Sequence, residues 1–197
     1  MSLFKTLFAL GLTLTAFSNV ATAGVFIEPS IGYRSHTLKT ADLVMTTTEI
    51  KMSSPVYGLK LGYRSMMGID VNLAYDYSSG KAEISGAAEK NDFTQSTGSV
   101  QLGVSALGAL KIYLGYGLLN ELKIAENATV GDMKLSGQAY QAGLQFKLFP
   151  MVMLGLQYNL NQYKTVSGRN FIAGEQVDTY FNKIDSQDYS ISVSTAF

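Results

Sequence analysis

The chain has 197 residues, with 15 basic and 15 acidic side chains, 19 glycines, one histidine and no cysteine. This length is enough for one domain with a substantial core. Only 15% of the residues are charged, which argues against a disordered or a nucleic-acid-binding protein. The absence of cysteine excludes disulfides and cysteine-ligated metal centres. A single histidine offers little for a metal site, so we predict no metal and no cofactor.

The first 23 residues have the features of an export signal. Lys5 supplies a positive charge, an apolar run covers residues 6–17, and Ala-Thr-Ala at residues 21–23 forms a small-x-small cleavage site. No later stretch approaches the roughly 20 consecutive apolar residues that a membrane-crossing helix needs. We therefore expect cleavage after Ala23, leaving one domain over residues 24–197.

Beyond the signal, apolar side chains alternate with polar or small ones. Residues 57–64, for example, read Tyr-Gly-Leu-Lys-Leu-Gly-Tyr-Arg. A period of two over such lengths predicts β-strands rather than helices. Eight segments show this pattern, at residues 25–33, 57–63, 69–77, 100–104, 110–118, 140–148, 152–160 and 189–197.

Which face of these strands points outward follows from volume. The interior of an eight-stranded barrel is only wide enough for side chains or one small ligand, so it cannot hold all of the Leu and Tyr side chains. The apolar face must then contact lipid. The alternative, a soluble lipocalin-type barrel with an apolar interior, fits the residue volumes poorly. We predict an all-β fold, an eight-stranded antiparallel up-and-down transmembrane β-barrel, with an interior charge network of Glu28, Arg34, Lys60, Arg64, Asp70, Asp76, Lys111, Lys147 and Asp188.

Two ion pairs are predicted within this network. Arg64 and Asp70 flank a short turn in matching register, and Arg34 and Asp188 lie near the same end of the first and last strands. Paired in this way, the charges would form a polar plug that holds the barrel in one shape. The alternative is a low-conductance, weakly selective channel whose pairs exchange partners.

Connection lengths predict the orientation. Short and long connections alternate, as in outer-membrane barrels with short periplasmic turns and longer extracellular loops, so both termini are predicted to be periplasmic. Tyrosines near the long loops would form an aromatic girdle at the outer interface. The short connections are residues 65–68, 106–109 and 149–151, the long ones are 38–54, 79–92, 120–134 and 163–183, and the girdle is Tyr33, Tyr57, Tyr75, Tyr77, Tyr116, Tyr140, Tyr158 and Tyr189.

The last strand carries a resemblance to a known family. Tyr189, Ile191, Val193 and the terminal Phe197 alternate like the signal by which the outer-membrane assembly machinery selects its clients. With the leader and the eight strands, residues 24–197 resemble small outer-membrane barrels of the OmpX type and the membrane domain of OmpA-like proteins. The resemblance implies a monomer in the outer membrane of a Gram-negative envelope, with outer-membrane lipid, lipopolysaccharide and the assembly machinery as partners. The peptidoglycan-binding domain of OmpA-like proteins is not expected to follow.

A structural or surface-interaction role through the four long loops is the predicted function, without catalysis and without nucleic acid. Phe171, Ile172, Tyr180 and Phe181 in the longest loop are candidate contact residues for a surface ligand.

A distant alternative is lipid-A modification. It would use His36, or Asp76 with Ser78 or Ser79, near the outer rim. A hydroxyl nucleophile needs its base within hydrogen-bond reach, and the spacing of these residues does not guarantee this.

Overall fold

The computed structural model describes residues 23–42, 47–85, 90–106, 109–125, 132–168 and 171–197. The predicted export signal therefore lies outside the described residues, except for Ala23. Among the described residues, no helix is long and apolar enough to cross a bilayer. The strands are β1 Gly24–Asp42, β2 Thr47–Arg64, β3 Ile69–Ile84, β4 Lys90–Ala106, β5 Leu110–Ile124, β6 Met133–Phe149, β7 Val152–Gly168, β8 Phe171–Gln176 and β9 Phe181–Thr195, with a 3₁₀ turn at Val177–Thr179.

Eight of these strands close into an antiparallel ring. Consecutive strands pair from β1 to β7, and β9 pairs with both β7 and β1. Main-chain hydrogen bonds extend the last seam: Phe197 N–H donates to Ile27 O over 3.0 Å, and Ile27 N–H donates to Phe197 O over 3.1 Å. Among the described residues, the short strand β8 pairs with β7 alone. The predicted eight-stranded up-and-down barrel is confirmed.

The apolar faces of the strands point outward. Leu59, Leu114 and Leu156 are 51%, 65% and 43% exposed, although they are large apolar side chains. Their neighbours on the opposite face, such as Lys60, are buried inside the ring. We call the part of the wall with apolar outward residues the apolar band; in β1 it runs from Val25 to Tyr33. This is the surface that a bilayer requires.

The predicted long loops are largely wrong, because the strands continue through them. β1 runs to Asp42 and β2 begins at Thr47, so only residues 43–46 separate them, rather than residues 38–54. The other three long connections shorten in the same way, although β8 and the 3₁₀ turn remain between β7 and β9. The end of the barrel that carries these connections is called the hairpin end below. The opposite end, where β1 begins and β9 ends, is called the terminal end.

At the hairpin end the barrel is filled with apolar side chains. They project inward from the strand extensions and from the 3₁₀ turn, and all are buried. Outward positions here are polar instead: Lys39, Lys51 and Lys81 are exposed. This apolar plug consists of Leu38, Ile50, Met52, Ala82, Phe93, Leu122, Ile124, Leu135, Tyr163, Val166 and Val177.

Candidate functional site

Near the terminal end, one carboxylate holds two cations inside the barrel. Arg64 donates to Asp70 through Nε over 2.7 Å and through Nη2 over 3.1 Å. Lys111 Nζ lies 2.7 Å from Asp70 Oδ2, the oxygen that also accepts from Arg64 Nη2. Arg64 and Asp70 are cross-strand partners on either side of the short β2–β3 turn, so the predicted pair is present. A bidentate guanidinium–carboxylate pair is among the strongest side-chain contacts, and it fixes both groups geometrically.

Glu28 forms a second ion pair one layer further in. Its Oε1 atom lies 3.4 Å from Lys60 Nζ and accepts a 2.6 Å hydrogen bond from Gln145 Nε2. Glu28 and Lys60 are also cross-strand partners. Both side chains are buried, so the pairing offsets part of the cost of removing two charges from water.

Arg34 links two carboxylates in the upper part of the polar interior. Its Nη2 atom lies 3.4 Å from Asp76 Oδ2, and its Nε atom lies 3.6 Å from Asp188 Oδ1. The contact with Asp188 crosses the β1–β9 seam, as the sequence predicts. Asp188 also accepts a hydrogen bond from Asn159, and another of 3.0 Å from Asn161. Gln95 Nε2 on β4 donates to Asp188 as well, over 3.4 Å, so nitrogen atoms from β1, β4 and β7 surround this carboxylate.

Lys147 does not belong to this interior, and its placement in the charge network is wrong. It lies two residues before the end of β6, where the register with β7 shifts, and its side chain is exposed. A lysine near the rim of a barrel can extend its long stem and keep its ammonium in water. Without Lys147, the interior network contains four acidic and four basic groups: Glu28, Asp70, Asp76 and Asp188 with Arg34, Lys60, Arg64 and Lys111.

Two aromatic residues of the polar interior, Tyr113 and Phe26, are not among those that the sequence predicts. Tyr113 is buried between the ion pairs, donates to Gln157 Oε1 over 2.8 Å, and has Lys60 Nζ 4.5 Å above its ring centroid. Phe26 lies beneath Arg64 and Lys111, at 5.2 and 5.3 Å from its ring centroid. Cation–π contacts of this kind stabilise cations that have lost water.

Glycines on neighbouring strands are the sequence feature that could have predicted these inward rings. Tyr113 pairs in register with Gly103 on one side and with Gly143 on the other. A Cβ at Gly143 would lie 2.2 Å from Tyr113 Cζ, so only glycine leaves room for the ring. Phe26 likewise pairs with Gly62. A large residue opposite a glycine, on the polar face, indicates a ring lying flat across the inner wall.

His36 lies where the polar interior meets the apolar plug, outside the apolar band. Its Nδ1 atom is 3.0 Å from Gln95 Oε1 and its Nε2 atom is 2.7 Å from Ser186 Oγ. Gln95 donates its amide to Asp188, so its oxygen accepts from Nδ1–H and leaves Nε2 to accept from the Ser186 hydroxyl. Burial lowers the pKa of His36, opposed by the nearby carboxylate of Asp188, and favours a neutral imidazole.

The residues considered for lipid-A chemistry are not arranged as a substrate-accessible site. His36 and Ser186 are both buried within the barrel, away from the lipid-facing wall. Asp76 contacts Arg34 and Gln157. Within the described part of the chain the buried Ser78 hydroxyl has no hydrogen-bond partner, and Ser79 is exposed on the opposite face.

The tyrosines predicted to form the girdle line the outer wall. Tyr33, Tyr57, Tyr75, Tyr77, Tyr140 and Tyr189 are exposed, while Tyr116 and Tyr158 are partly covered. Ring pairs explain the covered members: Tyr116 and Tyr140 centroids lie 5.4 Å apart, and Tyr158 and Tyr189 centroids lie 4.8 Å apart.

Two of the four candidate contact residues of the longest connection are only partly exposed. Tyr180 and Phe181 are half-buried and pack against the apolar plug, rather than standing free in solvent. Phe171 and Ile172 belong to β8, but their side chains lie outside the described part of the structure. Of the proposed assembly signal, Tyr189, Ile191 and Val193 face outward.

Known proteins share this architecture. The solid-state NMR structure of AlkL in lipid bilayers has a TM-score of 0.60 at 15% identity, covering 91% of this chain and 93% of AlkL. The crystal structure of Ail of Yersinia pestis, in complex with the heparin analogue sucrose octasulfate, has a TM-score of 0.56 at 15% identity, covering 88% and 99%. OprG from Pseudomonas aeruginosa has a TM-score of 0.52 at 17% identity, covering 89% and 97%.

Sequence comparison defines the family. No relative among curated proteins matches the chain. The family model described as outer membrane protein beta-barrel domain matches residues 4–197, nearly the whole chain. This match and the closed barrel with its apolar band agree on a location in the bacterial outer membrane. The chain therefore belongs to the outer membrane beta-barrel domain family.

Proposed function

We propose that this chain is a closed, non-catalytic, monomeric outer-membrane barrel with a structural or surface-contact role. The observation that carries the proposal is the filling of the interior at two levels. Eight charged side chains pair within the apolar band, and the apolar plug packs above them at the hairpin end. A solute would have to displace both layers to pass, and a fully packed apolar layer is costly to open.

The proposed orientation places the hairpin end outside the cell and both termini in the periplasm. The short β2–β3 and β6–β7 turns, at the terminal end, support it, as does the tyrosine girdle towards the hairpin end. The assembly machinery and lipopolysaccharide are the partners that this orientation implies.

The absence of native cysteine makes the orientation directly testable. Lys51→Cys places a thiol on the exposed wall of the hairpin end, and Met66→Cys places one on an exposed turn at the terminal end. A membrane-impermeant maleimide added to intact cells should label the first variant and not the second, until the cells are lysed. If only Met66→Cys is labelled in intact cells, the protein has the opposite orientation.

Conduction is the second candidate, favoured by one arrangement. Arg34 lies between two carboxylates, at 3.4 and 3.6 Å, and could shift from one to the other. In planar bilayers we expect the wild-type protein to give no stable unitary steps. Stable current steps in the wild type that change in Arg34→Gln would show that the protein is a channel rather than a closed barrel.

The surface-contact role is testable on the exposed β3–β4 wall. Lys81 and Asp92 face each other there, 2.7 Å apart, with both side chains largely exposed. Reversing the pair with Lys81→Glu and Asp92→Lys keeps the ion pair and leaves the apolar plug untouched. Attachment that depends on this wall should fall in the double variant, with the barrel still folded. If cells carrying the wild type attach no better than cells lacking the protein, only the structural role remains. That role is tested by comparing the detergent sensitivity of cells with and without the protein.

A further inference from the structure

The outward face of β6 contains one small residue among large ones. Along this face the side chains are Tyr140, Ala142, Leu144, Phe146 and Leu148. Ala142 pairs with Leu114 on β5 and with Tyr158 on β7, so bulky side chains flank it on both sides. The wall is therefore indented at Ala142, next to the tyrosine girdle on the hairpin side of the apolar band.

This indentation is a groove of about 400 Å³ on the lipid side of the wall. Its floor is Ala142 with Gly143, and its sides include Leu114, Leu144, Leu156 and Tyr158. Gly143 contributes only backbone to the floor, because a Cβ at this position would point inward against the Tyr113 ring. The depth of the groove on the lipid side is therefore set by Ala142.

One edge of the groove carries hydroxyl groups. Tyr158 and Tyr189 stack with centroids 4.8 Å apart, and both border the groove on the hairpin side of Leu156. The remaining surface of the groove is almost entirely apolar. An amphipathic molecule would fit with its chain beside Leu144 and Leu156 and its polar part near the tyrosine hydroxyls.

We propose that this groove holds one acyl chain of a membrane lipid from the leaflet at the hairpin end, with the lipid's polar part at Tyr158 and Tyr189. The groove is continuous with the lipid-facing wall, so lipid chains are the molecules that reach it. A second copy of the chain is a poorer fit. The groove involves only 11 residues, whereas a stable protein interface takes about 20 to 30 residues from each partner. The proposal holds whichever side of the membrane the hairpin end occupies.

Native mass spectrometry with dimyristoylphosphatidylcholine as the added lipid tests the proposal. Wild-type protein released from detergent should retain one lipid per chain. Ala142→Phe fills the groove with an apolar side chain and should weaken lipid retention by at least about tenfold. The matched control is Leu61→Phe on the outward face of β2, whose cross-strand partners Ile27 and Leu73 do not line the groove, and it should retain lipid like the wild type. Glycerophosphocholine, which has the headgroup but no chains, should not be retained.

Each outcome decides the matter. Equal lipid retention by the wild type and Ala142→Phe, with both folded, would overturn the proposal, as would retention of glycerophosphocholine. A dimer in the wild type that disappears in Ala142→Phe would assign the groove to a second copy. If Ala142→Phe does not fold, Ala142→Leu provides a smaller filling and the same comparison. These readouts are independent of conduction and cell attachment, so failure here leaves the proposed function standing.

Discussion

The apolar band and the hairpin end use the same wall in opposite ways. In β1, Ile31 and Tyr33 point outward and Arg34 points inward. A few residues later, Leu38 points inward and Lys39 points outward. The strand continues without a break, but its apolar side chains change face.

The surrounding solvent explains this inversion. Within the bilayer, the apolar side chains point outward and contact lipid, and paired charges occupy the interior. Above the bilayer, water surrounds the wall, and the hydrophobic effect moves the apolar side chains inside. One barrel thus combines a membrane protein at one end with the core of a soluble barrel at the other.

The largest expected effect is the loss of a charge partner in the band. Asp70→Asn leaves Arg64 and Lys111 inside the barrel without their carboxylate. Removing one member of a buried ion pair typically costs about 3–5 kcal/mol. Urea unfolding in lipid vesicles should show this loss. The exposed variant Asp92→Asn at the hairpin end should lose less than about 1 kcal/mol, and an equally small loss for Asp70→Asn would contradict the account.

A cavity in the apolar plug should come next. Leu122 is completely buried, so Leu122→Ala should lower the free energy of unfolding by about 2–5 kcal/mol. Leu114→Ala, on the lipid-facing wall, should cost less because lipid fills the space. Amide hydrogen exchange should speed up at the hairpin end in Leu122→Ala and stay slow in the band. Faster exchange throughout would mean that the two regions unfold as one unit.

Gly143→Ala should overpack the band interior. The new methyl group would collide with the Tyr113 ring, and a clash of this kind costs about 1–3 kcal/mol. The double variant Gly143→Ala with Tyr113→Leu should recover part of the loss, measured by the same urea unfolding. Additive losses would show that the ring does not lie against Gly143.

A smaller effect is expected from pH at the junction of the two regions. Since burial lowers the pKa of His36 in the folded state, its neutral form favours folding above about pH 6.5, the unfolded value. That stability is lost as the pH falls below 6.5, by at most about 2 kcal/mol at pH 5. Urea midpoints measured at pH 7 and pH 5.5 should differ more for the wild type than for His36→Gln. Identical differences would remove His36 as the cause.

The sequence predicted the band better than the hairpin end. Alternation revealed the eight strands and the outward direction of Leu59, because the whole apolar face there has a single environment. The pairing of Arg64 with Asp70 followed from their positions about a short turn. At the hairpin end the alternation continues with its faces exchanged, so Lys39 and Lys51 made strand look like polar loop.

The positions of Tyr113 and Lys147 could not be predicted, because they depend on strand register and on distance from the barrel rim. Tyr113 fits inside the barrel because it pairs with glycines of two neighbouring strands. These pairings cannot be predicted until the strand register is known. Lys147 continues the inward face of β6 in sequence, but the register shift beside it and its place near the barrel rim leave it exposed.

A nitroxide scan of single cysteines along β1 tests the inversion most directly. Residues 31–39 would be replaced one at a time in the cysteine-free chain, and the labelled protein reconstituted in bilayers. We expect contact with lipid-soluble oxygen at positions 31 and 33, contact with a water-soluble nickel complex at position 39, and little contact with either at positions 34, 36 and 38. Nickel contact at position 38, or oxygen contact at position 39 like that at position 31, would contradict the inversion.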